Sequence, residues 1–259
     1  MLLRTIADGW LAISQPAHAR LAAQLAVAWC ATWAPALMPR EGVIAGTFVH
    51  DIGWLEWEAA PTLNPDTGLP HTFLELPIAS HIAMWRRAAV RAWTFGRYPA
   101  LLTSMHGTRL YASRDLTRLD PSDAALVSDF LDSERRRQAE LIDQLASDAR
   151  TREWCDQATL ARMSDYVALF DALSLALCGG VREERSFRVP STDGHDNRLW
   201  LRPRDDGSLA VEPWPFDDVD VELVADARLI TERYGDEGLM RNALARAPWR
   251  SLTVRLVPA

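Results

Sequence analysis

The sequence predicts a mainly α-helical protein with a small β-rich C-terminal region. Two observations support this fold class. Up to about residue 180, apolar segments of helical length alternate with short connections that contain Pro, Gly or Asp. Beyond that point, short alternating or β-branched stretches are separated by Asp, Gly and Pro. We therefore predict an all-α domain over residues 1–180 and a β-rich subdomain over residues 181–259 that packs on the helical core.

The predicted helices are delimited by residues that favour helix ends. Ser14 and Pro16 mark the start of the first helix, and Gly179-Gly180 marks the end of the last one. The segment 59–76 holds three prolines and is predicted to be a loop. The helical segments are approximately 16–37, 41–50, 77–95, 99–112, 121–150 and 154–178.

The predicted strands all lie in the C-terminal region. They are short, and Asp205-Asp206-Gly207 has the composition of a hairpin turn between two of them. A short helix is predicted at about 236–247. The strand segments are 186–190, 198–202, 208–212, 219–224 and 252–257.

Composition excludes several function classes. The 259 residues carry a net charge of −7, so the chain has no overall basic surface for nucleic acid or an anionic membrane. All 28 basic residues are arginine, which excludes a Schiff-base lysine and a P-loop lysine. Three widely spaced cysteines and the lack of a long apolar run or a leader sequence predict a soluble, cytoplasmic protein.

The histidines predict a metal site. The chain has six of them, and four lie in predicted helices. Nitrogen and oxygen ligands on several helices are what a metal centre inside a helical bundle requires. The pattern H…HD…H…H…D consists of His18, His50, Asp51, His81, His106 and Asp171.

The two aspartates strengthen this hypothesis. Asp51 follows His50 at a helix C-terminus, where a carboxylate is unfavourable, and its two oxygens could bridge two ions. Asp171 lies in an apolar helix, where an unpaired carboxylate is costly to bury. His71 in the Pro-rich loop and His195 in a turn are left outside the set.

These residues resemble the HD superfamily of helical metal-dependent phosphohydrolases, in the branch with two extra histidines and a dinuclear centre. The chain resembles more closely a group known as domain of unknown function family 3891, and the likeness covers nearly its full length. The matching stretches are Gln15–Ala22, His50–Trp54, Thr67–Pro70, Ser104–Gly107, Phe170–Leu175 and Pro213–Phe216.

The HD resemblance implies how the ligands are shared between two divalent ions, for which iron or manganese is favoured over zinc, nickel or magnesium. One ion would be held by His18, His50, Asp51 and Asp171, and the second by Asp51, His81 and His106, with Asp51 as the bridge. It further implies a metal-bound water or hydroxide. From this centre we predict a hydrolase that activates water on a small phosphorylated substrate, and the net charge predicts no nucleic-acid or membrane partner.

A phosphohydrolase requires a basic residue that faces the metal ions. Arg20 lies two residues after His18, and Arg86 lies in the helix that carries His81, so we predict catalytic roles for both beside Asp51. Two alternatives stay open. The same ligands resemble those of di-iron oxygenases of this superfamily, which act on small organic substrates. The chain could also be a metal-binding or sensor protein without catalytic activity.

Overall fold

The computed structural model describes residues 1–192 and 195–259. Its α-helices agree in number and order with those expected for the first 180 residues, apart from one short additional helix, α3. They are α1 (Gln15–Ala28), α2 (Arg40–Val49), α3 (Leu55–Ala59), α4 (Ile78–Ala92), α5 (Arg97–Ala112), α6 (Pro121–Ala146), α7 (Gln157–Gly179) and α8 (Glu237–Arg246).

The strands form a much larger sheet than expected, so the prediction of a mainly α bundle with a small β region is wrong. About 51% of the chain is helical, and seven strands form one curled half-barrel in the order β1-β2-β8-β9-β7-β6-β5. A separate two-stranded ribbon joins β3 to β4. The strands are β1 (Leu2–Ile6), β2 (Gly9–Ile13), β3 (Leu63–Asn64), β4 (Leu69–Pro70), β5 (Arg185–Arg188), β6 (Arg198–Pro203), β7 (Leu209–Glu212), β8 (Val221–Ile230) and β9 (Trp249–Pro258).

The N-terminal residues explain much of this error. Leu2 pairs with Ile13 across a tight antiparallel hairpin, and β2 then pairs with β8, placing Leu11 opposite Leu229. Gly9 follows Asp8 at the turn and has a φ of 134°, which favours glycine. A Cβ at Gly9 would collide with the carbonyl of Ile230. The hairpin thus extends the C-terminal sheet with residues from the start of the chain.

The first helix is also shorter than predicted. It ends at Ala28 rather than near Leu37, because the chain leaves the helix at Trp29 to meet another segment. Trp29 forms a bridge with Phe216, and the amide of Cys30 donates to the carbonyl of Pro215. The indole of Trp29 packs edge-on against the rings of Tyr166 and Phe170 as well.

One large apolar cluster joins the helices to the sheet. It contains Leu21 and Leu25 of α1, Phe170 of α7, and Leu223 and Leu256 of the sheet, all nearly inaccessible to water. Burial of side chains of this size is worth roughly 1.5–3 kcal/mol each. The predicted boundary near residue 180 stays a prediction, and both sides of it contribute to this core.

Packing among four helices positions the candidate site. α1 packs against α2 and α7, and α5 packs against α2, α4 and α7. The C-terminus of α2 therefore points into a space bordered by α1, α5 and α7. Among the described residues, no helix is long and apolar enough to span a membrane.

Candidate metal centre

Five of the six predicted metal ligands converge in this space. His18 lies in the first turn of α1, His106 on α5 and Asp171 on α7. His50 and Asp51 directly follow α2, where the chain turns into a short 3₁₀ segment, Ile52–Trp54. Because α2 ends there, the backbone of Asp51 is no longer helical, with φ −103° and ψ 18°. Two consecutive side chains can then reach one point.

The first group of donors joins α1 to the end of α2. The Nε2 atom of His18 lies 2.7 Å from Oδ2 of Asp51, and the Nε2 atom of His50 lies 3.7 Å from the same oxygen. Donors that bind one ion at the usual bond lengths lie about 3.0–3.4 Å from each other. His18, His50 and Asp51 thus lie at separations close to those of ligands sharing one ion, and together they could hold one.

The second group shares His50 with the first. The Nε2 atom of His50 lies 3.4 Å from Oδ1 of Asp171, and the Nε2 atom of His106 lies 3.7 Å from Oδ2 of the same carboxylate. His50, His106 and Asp171 form a second set that could hold an ion. Since His50 belongs to both groups, the five side chains form one compact cluster of donors, which we call the five-donor centre.

Hydrogen bonds orient the His50 ring for ligation. Its Nδ1 atom donates to the carbonyl of Thr47 at 2.7 Å, which leaves the lone pair on Nε2. That Nε2 atom is fully buried and has no hydrogen-bond partner among the described residues, and the same holds for Nδ1 of His106. Buried polar atoms are rarely left unpaired, because the loss of solvation costs about 1–3 kcal/mol. An ion bound at Nε2 of His50 would remove that cost.

The orientation of His18 leads to the same conclusion. The hydroxyl of Ser174 donates to the carbonyl of Asp171 at 2.8 Å, so its oxygen accepts from Nδ1 of His18 at 2.9 Å. The neutral ring would therefore direct the Nε2 lone pair at the carboxylate of Asp51. Two acceptors 2.7 Å apart require a positive charge between them, either a proton or a metal ion.

Electrostatics favours a cation throughout the centre. Burial opposes the charged form of each group, but the carboxylates of Asp51 and Asp171 outweigh it at His50 and raise its pKa to about 9. Burial also opposes ionisation of the two carboxyls, yet the imidazoles around them hold the pKa of each below its usual range. Burial lowers the pKa of His106 to about 4, so this ring is neutral and able to bind a metal.

His81 is the predicted ligand that stands apart. It lies on α4, half-buried, and belongs to neither group of donors. Its Nε2 atom donates to the carbonyl of Phe73 at 2.6 Å, and its ring packs edge-on against Trp54. Burial lowers the pKa of this histidine, which favours the neutral ring with Nδ1 unprotonated. His81 nevertheless lines the same cleft as Asp51, His106 and Asp171.

This cleft has a volume of 180 Å³ and opens from the five-donor centre to the surface. Its walls are mostly apolar and aromatic, with Trp54, Phe73, Trp85 and Leu175 among them. A concave apolar pocket with a few convergent polar groups is the usual form of a small-molecule site. The candidate metal centre is therefore accessible to a small ligand.

One family model matches most of the chain. A family model described as "Protein of unknown function (DUF3891)" matches residues 1–232, and the matched range includes all six predicted ligands. The chain belongs to this family. No curated protein and no solved structure matches it. Helix α8 and strand β9 lie beyond the matched range, although β9 occupies an inner position of the sheet between β8 and β7.

The two arginines with predicted catalytic roles do not line the cleft of this DUF3891 protein. Arg20 is exposed and pairs with Asp226 of β8 at 3.2 Å. Two residues after His18, it points about 200° around the helix from that ligand. Arg86 pairs with Asp129 of α6. It follows His81 by five residues, which turns it by about 140° from that side chain.

The cleft does contain an arginine, but it is neither Arg20 nor Arg86. Arg114, just after α5, lines the cleft of the DUF3891 protein, and its guanidinium lies 4.7 Å from the ring centre of Tyr111. Gln15 and Tyr111 line the cleft too, and Gln15 Oε1 and the Tyr111 hydroxyl are buried without a hydrogen-bond partner in the described part of the chain. The four-residue spacing of His106, Leu110 and Arg114 would have indicated this arginine.

Proposed function

We propose that this protein is an HD-type metal-dependent hydrolase that acts on a small phosphorylated substrate. The observation that carries the proposal is the five-donor centre at the base of an open cleft, where the buried Nε2 atom of His50 faces two carboxylates and has no hydrogen-bond partner among the described residues. Two carboxylates and three imidazoles suit divalent iron, manganese or zinc. When bound, such an ion supplies Lewis acidity and activates water.

The chain contributes the rest of the chemistry through fixed side chains. Thr47 and Ser174 hold the rings of His50 and His18 in one orientation, so the donors need little rearrangement. Since Nε2 of His81 donates to Phe73, its Nδ1 atom is left with the lone pair. In the proposed dinuclear centre His81, His106 and Asp51 would hold the second ion, as the HD resemblance implies.

A phosphorylated substrate is favoured by a guanidinium in the cleft. Arg114 is the one basic side chain other than histidine among the described residues that line it, and a guanidinium binds phosphate oxygens in a bidentate manner. Water can reach the donors through the same opening. The described lining thus provides a cation for the phosphate group and a path for water to the donors.

A turnover assay tests this proposal. Protein reconstituted with manganese or iron is given a generic aryl phosphate, and we expect metal-dependent phosphate release that Asp51→Asn abolishes. Asp226→Asn is the matched control, because Asp226 is an exposed carboxylate far along the chain that pairs with Arg20. Metal-loaded protein that binds its ions but releases no phosphate from aryl phosphates or nucleotides would contradict the hydrolase assignment.

A second candidate function is oxygen chemistry on a small organic substrate. The mostly apolar wall formed by Trp54, Phe73 and Trp85 favours it, since such a wall suits an uncharged organic molecule. Iron-loaded protein that consumes dioxygen, with an electron paramagnetic resonance signal from coupled iron, would support this function over hydrolysis.

A further inference from the structure

We infer that the substrate is a phosphate monoester with an apolar body about the size of one ring, and that Arg114 binds its anionic group. This inference rests on the proposed hydrolase function and adds the substrate class and the residues that recognise it. Its basis is a set of polar groups in the cleft that have no hydrogen-bond or ion-pair partner among the described residues.

Arg114 is placed to face a ligand in the cleft. His106 and Leu110 lie one turn apart on α5, which ends at Ala112, and Arg114 follows just beyond its last turn. All three residues line the cleft. The guanidinium of Arg114 lies against the Tyr111 ring, also in the cleft. A ligand between the donors and Arg114 would therefore contact both.

The charge of Arg114 is not neutralised by the protein. In residues 1–192 and 195–259 it has no carboxylate partner, whereas the arginines before and after it are paired. Arg109 pairs with Asp165 of α7, and Arg118 pairs with Asp115. A guanidinium that is held by an aromatic ring and left without a counter-ion is well suited to bind an anion. Among the described residues that line the cleft, the acids are Asp51 and Asp171, and both belong to the five-donor centre.

Two further groups make the cleft a built site. The Tyr111 hydroxyl and Gln15 Oε1 are buried, and each lacks a hydrogen-bond partner among the described residues. Burial raises the pKa of Tyr111 to about 12, so its hydroxyl stays protonated and can donate to a phosphate oxygen. Gln15 Oε1 can accept from a protonated or hydroxylated group. A bound substrate would satisfy atoms that are otherwise costly to bury.

The volume of the cleft limits the rest of the substrate. At 180 Å³ it is similar to an engineered cavity of about 150 Å³ that binds benzene. The walls of Trp54, Phe73, Trp85 and Leu175 would contact an apolar group of that size. A nucleotide has a base and a ribose in addition to its phosphate, and these would extend beyond the cleft and lose contact with its apolar walls. We therefore expect small phosphate esters of phenols or branched alcohols to be preferred to nucleotides.

Binding of phenylphosphonate tests the inference without turnover. This compound carries a ring and an anion but cannot be hydrolysed. Calorimetry on the manganese-loaded protein is expected to show binding that Arg114→Gln weakens on the order of tenfold or more. Arg118→Gln is the matched control, because Arg118 is exposed and is already paired with Asp115. Equal affinities in the wild type and Arg114→Gln, or no binding, would overturn the role of Arg114.

Kinetics then separates this inference from the proposed function. With phenyl phosphate as substrate, Arg114→Gln is expected to raise KM and Tyr111→Phe to lower kcat/KM, without a loss of thermal stability in either variant. Adenosine 5′-monophosphate is expected to be a poorer substrate than phenyl phosphate, and the reverse order would overturn the substrate class. Phenylphosphonate binding that depends on Arg114, with no hydrolysis of any ester, would support the anion site and contradict the hydrolase.

Discussion

The Nε2 atom of His50 lies 3.4 Å from Oδ1 of Asp171, and the other nitrogen of the same ring donates to the carbonyl of Thr47 at 2.7 Å. The end of α2 thus orients the histidine, while α7 supplies the carboxylate that it faces. Because the hydrogen bond to Thr47 fixes the ring, its Nε2 atom points away from α2 and no group of that helix can bind it. The relationship explains why the centre favours a cation and why its affinity for metal should depend on pH.

Metal affinity is expected to rise with pH. The pKa of His50 is raised to about 9 in the metal-free centre, so at neutral pH a proton occupies the ring and must leave when an ion binds. Displacement of this proton alone raises the apparent affinity about tenfold per pH unit between about pH 6 and 8, so we expect at least that slope. His106 adds no slope in this range, because its pKa is lowered to about 4.

Calorimetry with manganese in two buffers of different ionisation enthalpy measures both the affinity and the protons released. The expected result is a release of at least about one proton per ion in this range. Affinity that is constant from about pH 6 to 8, with no proton release, would contradict the account of His50.

Ser174→Ala is expected to weaken metal binding. Ser174 accepts from Nδ1 of His18 and donates to the carbonyl of Asp171, so it supports two donors at once. Loss of such a supporting contact typically lowers metal affinity about 10- to 100-fold. Ser164→Ala, in an earlier turn of α7, is the control and should retain the wild-type affinity. Equal affinities in the two variants would show that Ser174 does not support the centre.

His81→Ala and His106→Ala should differ in their effects on metal content. His106 belongs to the five-donor centre, whereas His81 lines the same cleft and belongs to neither group of donors. We expect His81→Ala to lower the content from about two ions to about one and to retain the tightly bound ion. His106→Ala should weaken the remaining ion as well. Elemental analysis after dialysis measures both, and an unchanged content in His81→Ala would exclude this histidine as a ligand.

Gly53→Ala is expected to destabilise the fold near the centre. A Cβ at Gly53 would collide with the carbonyl of Met84 on α4, which packs closely against the segment after Asp51. Overpacking of this kind costs about 1–3 kcal/mol. Gly179→Ala is the control, because a Cβ there meets no atom within 4 Å, and it should be neutral or slightly stabilising. Denaturant unfolding compares the two, and equal stabilities would contradict the close packing of α4.

The helices and the donors could be predicted from the sequence because their signals are local. Pro16 and Gly179 mark helix ends, and a histidine or aspartate in an apolar helix is visible without the fold. The sheet could not be predicted in the same way. Its N-terminal hairpin pairs with β8, more than 200 residues later, and only the Asp8-Gly9 turn indicated it.

The basic residue of the candidate site was not predicted, although the metal ligands were proposed from the sequence. Arg20 and Arg86 were chosen for their closeness in sequence to His18 and His81, but helical geometry turns both away from the cleft. Arg114 reaches the cleft from the end of α5, and its role depends on a contact with Tyr111 that only the structure shows. A separation of eight residues, about two helical turns, from the predicted ligand His106 is the signal that would have selected it.

Elemental analysis of protein purified without chelator tests the central claim most directly. The account predicts at least about one iron, manganese or zinc ion per chain, and its loss in Asp51→Asn but not in Asp226→Asn. Added metal should also raise the melting temperature of the wild type, because it binds only the folded chain. Wild-type protein that takes up no ion even when metal is added, with the same melting temperature as before, would contradict the metal centre.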